Sequence, residues 1–286
     1  MSLPFHNPTS VVPQLRAADL TGKRRSGLTL IELMVASTIM AITVAALAVL
    51  AHAVQSGAEY GNGHGQAVQH ARVTFERITR LANEATTSPQ FPGLLVVATN
   101  QAGNLYPDTL VVWHPSGVPS DPEGLPRFSE LVIFCPRAGH PNELIELTAP
   151  SDTRTVPMYK NQALWFTEIE ALKSSTTTRQ VNLTNLVRTA STDDTAPEDS
   201  RRACVRFNVR LRPSDANLAA YEANTVDWDE LPWVQNVYSP SLGLRQVWLR
   251  IELQLMPGGG DQANNTSTKT AIPFFDSAAV YYSVKR

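Results

Sequence analysis

The stretch from Lys23 to Leu50 reads KRRSGLTLIELMVASTIMAITVAALAVL, and the rest of the chain is organised around it. Three adjacent cations lead through a serine and Gly27 into an apolar run from Leu28 to about Ala51, interrupted only by Glu32. A helix of these 24 residues would be about 36 Å long, which is enough to cross a bilayer. The cations mark the cytoplasmic end, so the sequence predicts that everything after the run lies outside.

Glu32 needs an explanation because an ionisable side chain near the middle of an apolar helix costs roughly 2.5 to 3.5 kcal/mol. It lies one turn from the start of the run, so it can extend to the headgroups at a lower cost. Two simple interpretations of the segment stay open: an uncleaved anchor, or a signal peptide cleaved at the A-x-A pattern of Ala51 to Ala53. The length of the run and the presence of Glu32 weigh against a signal peptide.

The residues from Gly27 to Ala36, GLTLIELMVA, resemble the type IV prepilin motif, in which a glycine, a hydrophobic residue, Thr-Leu-Ile and a glutamate open the helix. The resemblance implies that a prepilin peptidase cleaves between Gly27 and Leu28. It also implies that Leu28 becomes the N-methylated amino terminus. In that family the glutamate, here Glu32, compensates the terminal ammonium of a neighbouring subunit.

Pilin-like proteins have a long N-terminal helix whose second half packs on an antiparallel sheet. The resemblance therefore predicts an α+β fold, in which a half-transmembrane, half-amphipathic helix packs on a mainly antiparallel β head domain. Residues 71–85, ARVTFERITRLANEA, look like the corresponding segment of J-type minor pseudopilins and W-type minor pilins.

The function that the resemblance implies is that of a minor pilin or pseudopilin, assembled into a type IV pilus or a type II secretion pseudopilus. Its implied partners are prepilin peptidase, other pilin or pseudopilin subunits, the inner-membrane assembly platform and membrane lipid. The implied location is the inner membrane, crossed once, with the N-terminus in the cytoplasm and the head in the periplasm. The alternative is a signal-anchored or secreted β-rich binding domain that does not polymerise.

The sequence pattern divides the chain into five parts. They are a cytoplasmic leader (1–27), a transmembrane or filament-core helix (28–53), a glycine-rich hinge (54–65), an amphipathic helix (66–88) and a β-rich extracytoplasmic head (89–286). Each interior glycine costs a helix about 0.8 to 1.0 kcal/mol relative to alanine, so the hinge segment, with four glycines, should loosen or break the helix.

Apolar residues recur at helical spacing from Gln66 to about Thr87, on a face made of Val68, Ala71, Phe75, Ile78, Ala82 and Ala85. After Pro92 the pattern becomes that of short strands separated by turn residues. The predicted strands are 94–97, 109–113, 131–134, 144–147, 204–211, 247–255 and 279–284. Two long polar segments, 174–202 and 213–243, interrupt them and are predicted to be loops.

The charge of the chain argues against nucleic acid as a partner. The leader carries +3 and the whole chain −2, which leaves −5 on the part that follows the leader. A domain of this sign gives no general electrostatic support for binding a polyanion. The charge therefore argues against a DNA-uptake pilin, the third possibility within the family that the motif resembles, and no nucleic acid is expected.

Two cysteines, Cys135 and Cys204, follow the membrane segment. In an oxidising compartment they have one intramolecular pairing, but both lie in strand-like runs, so a disulfide and two buried free thiols are both open. Cys135 and His140 form a C-x-x-x-x-H pattern without a third ligand or an orienting group. The sequence has no G-x-S-x-G, H-E-x-x-H or P-loop motif, and gives no reason to propose an enzyme.

The acidic residues Asp227, Asp229 and Glu230 form a candidate calcium site, since some pseudopilins bind calcium in their heads. They do not follow the spaced pattern of a known calcium loop, and a solvated loop is the alternative. No other cofactor is expected. Trp228 and Trp233 in the same segment cover the domain's own core or form a surface for a partner.

Overall fold

The computed structural model describes residues 27–101, 104–190, 201–231, 242–257 and 271–285. Within these ranges the chain has three α-helices and ten β-strands, which confirms the predicted α+β class. The helices are α1 (Leu30–Asn83), α2 (Gln162–Ser174) and α3 (Asp215–Glu222). The strands are β1 (Leu94–Gln101), β2 (Asn104–Trp113), β3 (Leu131–Arg137), β4 (His140–Thr148), β5 (Arg179–Thr184), β6 (Thr189–Ala190), β7 (Arg202–Ala203), β8 (Val205–Arg212), β9 (Leu242–Leu255) and β10 (Ile272–Lys285).

The contacts between residues divide the chain after Val54 into two units, which are described separately. In the first unit the described residues, 27–54, are all exposed, and they are helical from Leu30 onward. α1 is long and apolar enough to cross a membrane by length and composition, with a mean hydropathy of 2.4 over its most apolar window. The apolar side chains therefore point outward on every side of this part of the helix, as in a helix that is surrounded by lipid or by other helices.

The backbone stays helical through the glycine-rich residues 54–65, so the predicted break in the helix is wrong. Glycine weakens a helix but keeps its N–H donor, whereas proline loses it, so the i→i−4 hydrogen bonds can continue. At Gly57, Gly61 and Gly65 no atom lies within 4 Å of the place that a Cβ would occupy, so close packing does not require these glycines. The division into five parts, including a hinge at this segment, stays a prediction.

In the second unit, the last four turns of α1 pack against the sheets. Their buried residues are Ala67, Ala71, Thr74, Phe75, Ile78, Leu81 and Ala82. The predicted apolar face is therefore largely correct, although Val68 is 40% exposed and Ala67 takes its place. The helix ends at Asn83, four residues before the predicted end.

Strands β1 to β5 form an antiparallel sheet in sequential order, with β3 at its centre. One face of this sheet joins α1 in the first hydrophobic core, where Leu110, Val112 and Phe134 are buried. The other face packs on α2 in a second core, through Trp165, Ile169 and Leu172. α2 was not predicted, although its three buried residues have helical spacing, and Asn161 caps it by accepting a bond from the amide of Leu164.

Strands β10, β9 and β8 form a second antiparallel sheet in that order. The alternation predicted for 204–211 and 247–255 is confirmed, because one face of β9 is buried in the first core and the other is wetter. β8 also lies beside β1 and β2, which places the two sheets around one core. A small pair, β6 and β7, completes the described strands.

The two long polar segments are only partly loops. The segment 174–202 contains β5 and β6, and the segment 213–243 contains α3, whose amino terminus is capped by Ser214. These short elements were missed because few of their residues are buried: in α3 none is. Residues 191–200 and 232–241 of these segments, including Trp233, lie outside the described residues.

Candidate processing and assembly site

The residues of the predicted cleavage site lie before the first turn of α1, where the chain is not yet helical. Gly27 and Leu28 are both exposed, Leu28 to 76%, and no atom lies within 4 Å of a Cβ built on Gly27. The peptide bond between them is thus open to a second protein. A proteinase binds its substrate in an extended conformation with access from several sides, and this geometry permits that.

Thr29 and Glu32 bond to each other across the first turn. Glu32 Oε2 accepts hydrogen bonds from the Thr29 backbone N–H at 2.9 Å and from the Thr29 hydroxyl at 3.0 Å. The Glu32 N–H donates to Thr29 Oγ1 at 3.3 Å. This reciprocal arrangement is a capping box, which satisfies amide groups that the first turn leaves without helical partners. Glu32 therefore has a structural role as well as its charge.

The capping box leaves part of the Glu32 carboxylate available. Both bonds from Thr29 end on Oε2, and within the described residues no hydrogen bond reaches Oε1. Thr29 was missed as a partner in the sequence analysis, although Thr-x-x-Glu before an apolar run is the sequence signature of a capping box. That local signal could have identified it.

From Ile31 to Ala51, apart from Glu32, the helix offers only apolar side chains and a few hydroxyls to its surroundings. Ile31, Met40 and Leu50 are 70%, 70% and 60% exposed. The hydroxyls of Ser37, Thr38 and Thr43 donate to backbone carbonyls three or four residues earlier. Bonded in this way, they can lie in an apolar environment without an unmet hydrogen bond.

Comparison with protein families identifies a known motif in this part of the chain. Residues 22–48 match the family model described as the prokaryotic N-terminal methylation motif. The chain carries a prepilin-type methylation motif. Neither curated proteins nor solved structures gave a match to the chain.

The methylation motif contains the exposed Gly27–Leu28 bond, the capping box and most of the apolar part of α1. It confirms the resemblance to type IV prepilins and pseudopilins that the residues GLTLIELMVA carry. It ends at residue 48, so it says nothing about the sheets, α2 or the choice between a pilus and a pseudopilus.

Both cysteines are free thiols in the structure, but only Cys135 is buried, so the alternative of two buried free thiols is met in part. Cys135 on β3 is fully buried in the second core, and burial raises the pKa of its thiol to about 12. A thiol that stays protonated is a poor nucleophile. Cys204 lies between β7 and β8 and is half-buried, with its N–H bonded to the carbonyl of Arg188. Burial also raises the pKa of Cys204.

The candidate calcium site gains no support from the described residues, in which no group of three or more His, Cys, Asp and Glu side chains could hold a metal. The acidic residues Asp227, Asp229 and Glu230 lie at and within a short 3₁₀ turn, Trp228–Glu230. Trp228 in that turn is 5% exposed, so it covers the domain's own core, as one of the two alternatives predicted.

Proposed function

We propose that this protein is a minor pilin or pseudopilin subunit, processed by prepilin peptidase between Gly27 and Leu28 and then assembled into a filament. The observation that carries the proposal is the methylation motif, with its acidic residue bonded in the first turn of an apolar helix. The inner-membrane assembly platform and other pilin or pseudopilin subunits are its proposed partners. The size of the predicted head, 89–286, favours a minor subunit over a bulk filament subunit, since a repeated subunit is usually compact.

The proposed mechanism follows from charge. Cleavage creates an ammonium group on Leu28. This group would then be methylated, and it would keep its positive charge in the mature subunit. In an apolar surrounding an unpaired charge is costly, so a carboxylate on a neighbouring subunit makes addition of that subunit favourable. Glu32 can serve as this carboxylate because Oε1 accepts no hydrogen bond from the described residues.

The mature amino terminus tests the processing step. Mass spectrometry of the protein from membranes of its own host should find a chain that begins at Leu28, with one added methyl group. A chain that begins at Val54 would support the secreted β-rich binding domain instead. An intact leader would support an uncleaved anchor.

Two substitutions separate the charge of Glu32 from its capping role. Glu32→Gln keeps an oxygen that can accept the Thr29 bonds but removes the charge, whereas Thr29→Val removes the side-chain half of the capping box and keeps the charge. We expect the Glu32→Gln chain to be inserted and cleaved but not incorporated into filaments. The Thr29→Val chain should still be incorporated. Normal incorporation of the Glu32→Gln chain together with loss of incorporation of the Thr29→Val chain would show that capping, and not charge, is required.

A further inference from the structure

The outer face of the three-stranded sheet carries arginines and aromatic rings in adjacent rows. On β8 and β9, Arg206 lies opposite Glu252, Asn208 opposite Arg250, and Arg210 opposite Trp248. On the other side of β9, the edge strand β10 adds Phe275 beside Glu252 and Tyr281 beside Gln246. We call these residues the arginine face. It is the wetter side of the sheet, because the alternate residues of β8 and β9 fill the first core.

The arginine face contains a shallow depression of about 170 Å³, lined by Arg206, Asn208, Arg210, Trp248, Arg250 and Glu252. Its three arginines are exposed. In the described part of the chain none of these three guanidinium groups forms an ion pair, in contrast to Arg77, Arg137, Arg154 and Arg245 elsewhere. Three cations thus oppose one carboxylate, Glu252, although the chain after the leader has a net charge of −5.

Aromatic rings stand among these cations. The guanidinium carbon of Arg210 lies 6.0 Å from the centre of the Trp248 ring, and that of Arg250 lies 5.8 Å from the Phe275 ring. Phe275 and Tyr281 are 58% and 56% exposed. They are six residues apart on one side of β10, which separates them by about 20 Å along the strand.

We propose that the arginine face binds single-stranded nucleic acid without regard to sequence. Arginines supply charge-assisted hydrogen bonds to phosphates, while exposed rings on a sheet are stacking platforms for unpaired bases. An acidic peptide would use the arginines but would gain nothing from the exposed rings. A duplex keeps its bases stacked inside and would leave the rings unused as well. The proposal concerns the head alone and does not depend on filament assembly.

Binding can be measured by fluorescence anisotropy of a labelled oligothymidylate of about 12 nucleotides, with the full chain in a nonionic detergent. We expect binding that weakens as salt rises. The double variant Arg210→Gln, Arg250→Gln should bind at least about tenfold more weakly. The slope of the logarithm of the binding constant against the logarithm of the salt concentration should become shallower by roughly 1.4, since each phosphate contact of a single strand contributes about 0.7 to this slope. The double variant Phe275→Ala, Tyr281→Ala should bind at least about thirtyfold more weakly, because each lost stacking contact costs about 1 kcal/mol or more.

The matched control is Arg72→Gln with Arg179→Gln, which removes the same charge from exposed positions on α1 and β5. Its dissociation constant should stay within about twofold of that of the unchanged chain. All substituted side chains point outward, so circular dichroism and thermal unfolding should be unchanged. The proposal is overturned if the oligothymidylate does not bind at low salt. It is also overturned if polyglutamate or anionic vesicles compete as well as unlabelled oligothymidylate while the aromatic variant binds normally.

Discussion

Replacing Arg77 with methionine should destabilise the second unit, because it removes the partner of a carboxylate that is largely buried in the sheet. Arg77 on α1 donates from Nε to Glu146 Oε2 and from Nη2 to Glu146 Oε1, both at 2.7 Å. The Glu146 side chain on β4 is only 10% exposed and that of Arg77 is 35% exposed. Hydrogen bonding by Glu146 raises the pKa of Arg77 above its usual value.

The size of the effect follows from this burial. Removing one partner of a buried ion pair costs about 3 to 5 kcal/mol. Water reaches Arg77 and weakens the interaction, so we expect about 2 kcal/mol of unfolding free energy to be lost. For a domain of about 150 to 250 residues this lowers the thermal midpoint by about 4 to 8 °C. Glu146→Gln should cost less, because it leaves no buried charge without a partner.

Thermal unfolding of the full chain in detergent, followed by circular dichroism, measures these shifts. Arg72→Met is the control, since Arg72 is exposed on the same helix. The double variant Arg77→Met, Glu146→Leu should regain part of the loss, because an apolar pair of similar size leaves no uncompensated charge. The reasoning is refuted if Arg77→Met and Arg72→Met have equal thermal midpoints. It is also refuted if the midpoint of the double variant falls by more than the sum of the falls caused by Arg77→Met and Glu146→Leu alone.

Three further substitutions test other parts of the structure. Burial raises the pKa of Asp108, so the native state holds the Asp108 proton more tightly than the unfolded chain does. Stability therefore falls as the pH rises through the pKa values of the unfolded and folded states. Asp108→Asn should raise the thermal midpoint at pH 7 but not at pH 3, and an equal shift at both pH values would contradict this. A Cβ on Gly243 would overlap the ring of Trp228. Gly243→Ala should therefore lower the free energy of unfolding by about 1 to 3 kcal/mol in a denaturant titration, and an unchanged midpoint would show that the ring moves freely. A Cβ on Gly57 would have no atom within 4 Å, so Gly57→Ala should stabilise the helix by about 0.8 to 1.0 kcal/mol. Amide hydrogen exchange over residues 54–65 should then be slower, and unchanged exchange would show that glycine does not weaken this segment.

Local patterns in the sequence predicted what depends on neighbouring residues. The apolar run after Gly27 predicted the exposed first half of α1, and alternation predicted β8 and β9 with one wet face. The capping box of Thr29 and Glu32 is also local and was readable from its spacing. These features are fixed by side chains within a few residues, so they do not need the fold to be known.

Features that join distant segments could not be read in this way. Arg77 and Glu146 are 69 residues apart, and their pairing depends on how α1 packs against β4. The arginine face likewise depends on the register of three strands, so the net charge of the chain hides it. The burial of Cys135 follows from packing too, since this residue points into the second core.

The central strand β3 separates two cores and belongs to both. Val132 and Phe134 face the first core, while Leu131, Ile133 and Cys135 face the second. Sliding β3 by one residue would exchange these sets, yet both faces would still receive apolar side chains. Polarity therefore cannot tell the folding chain which alignment of β3 is correct. The alignment has to come from the fit of side-chain sizes and from the neighbouring strands. Conservative changes of side-chain size in β3 should therefore be a more sensitive probe of folding than changes of polarity on the protein surface.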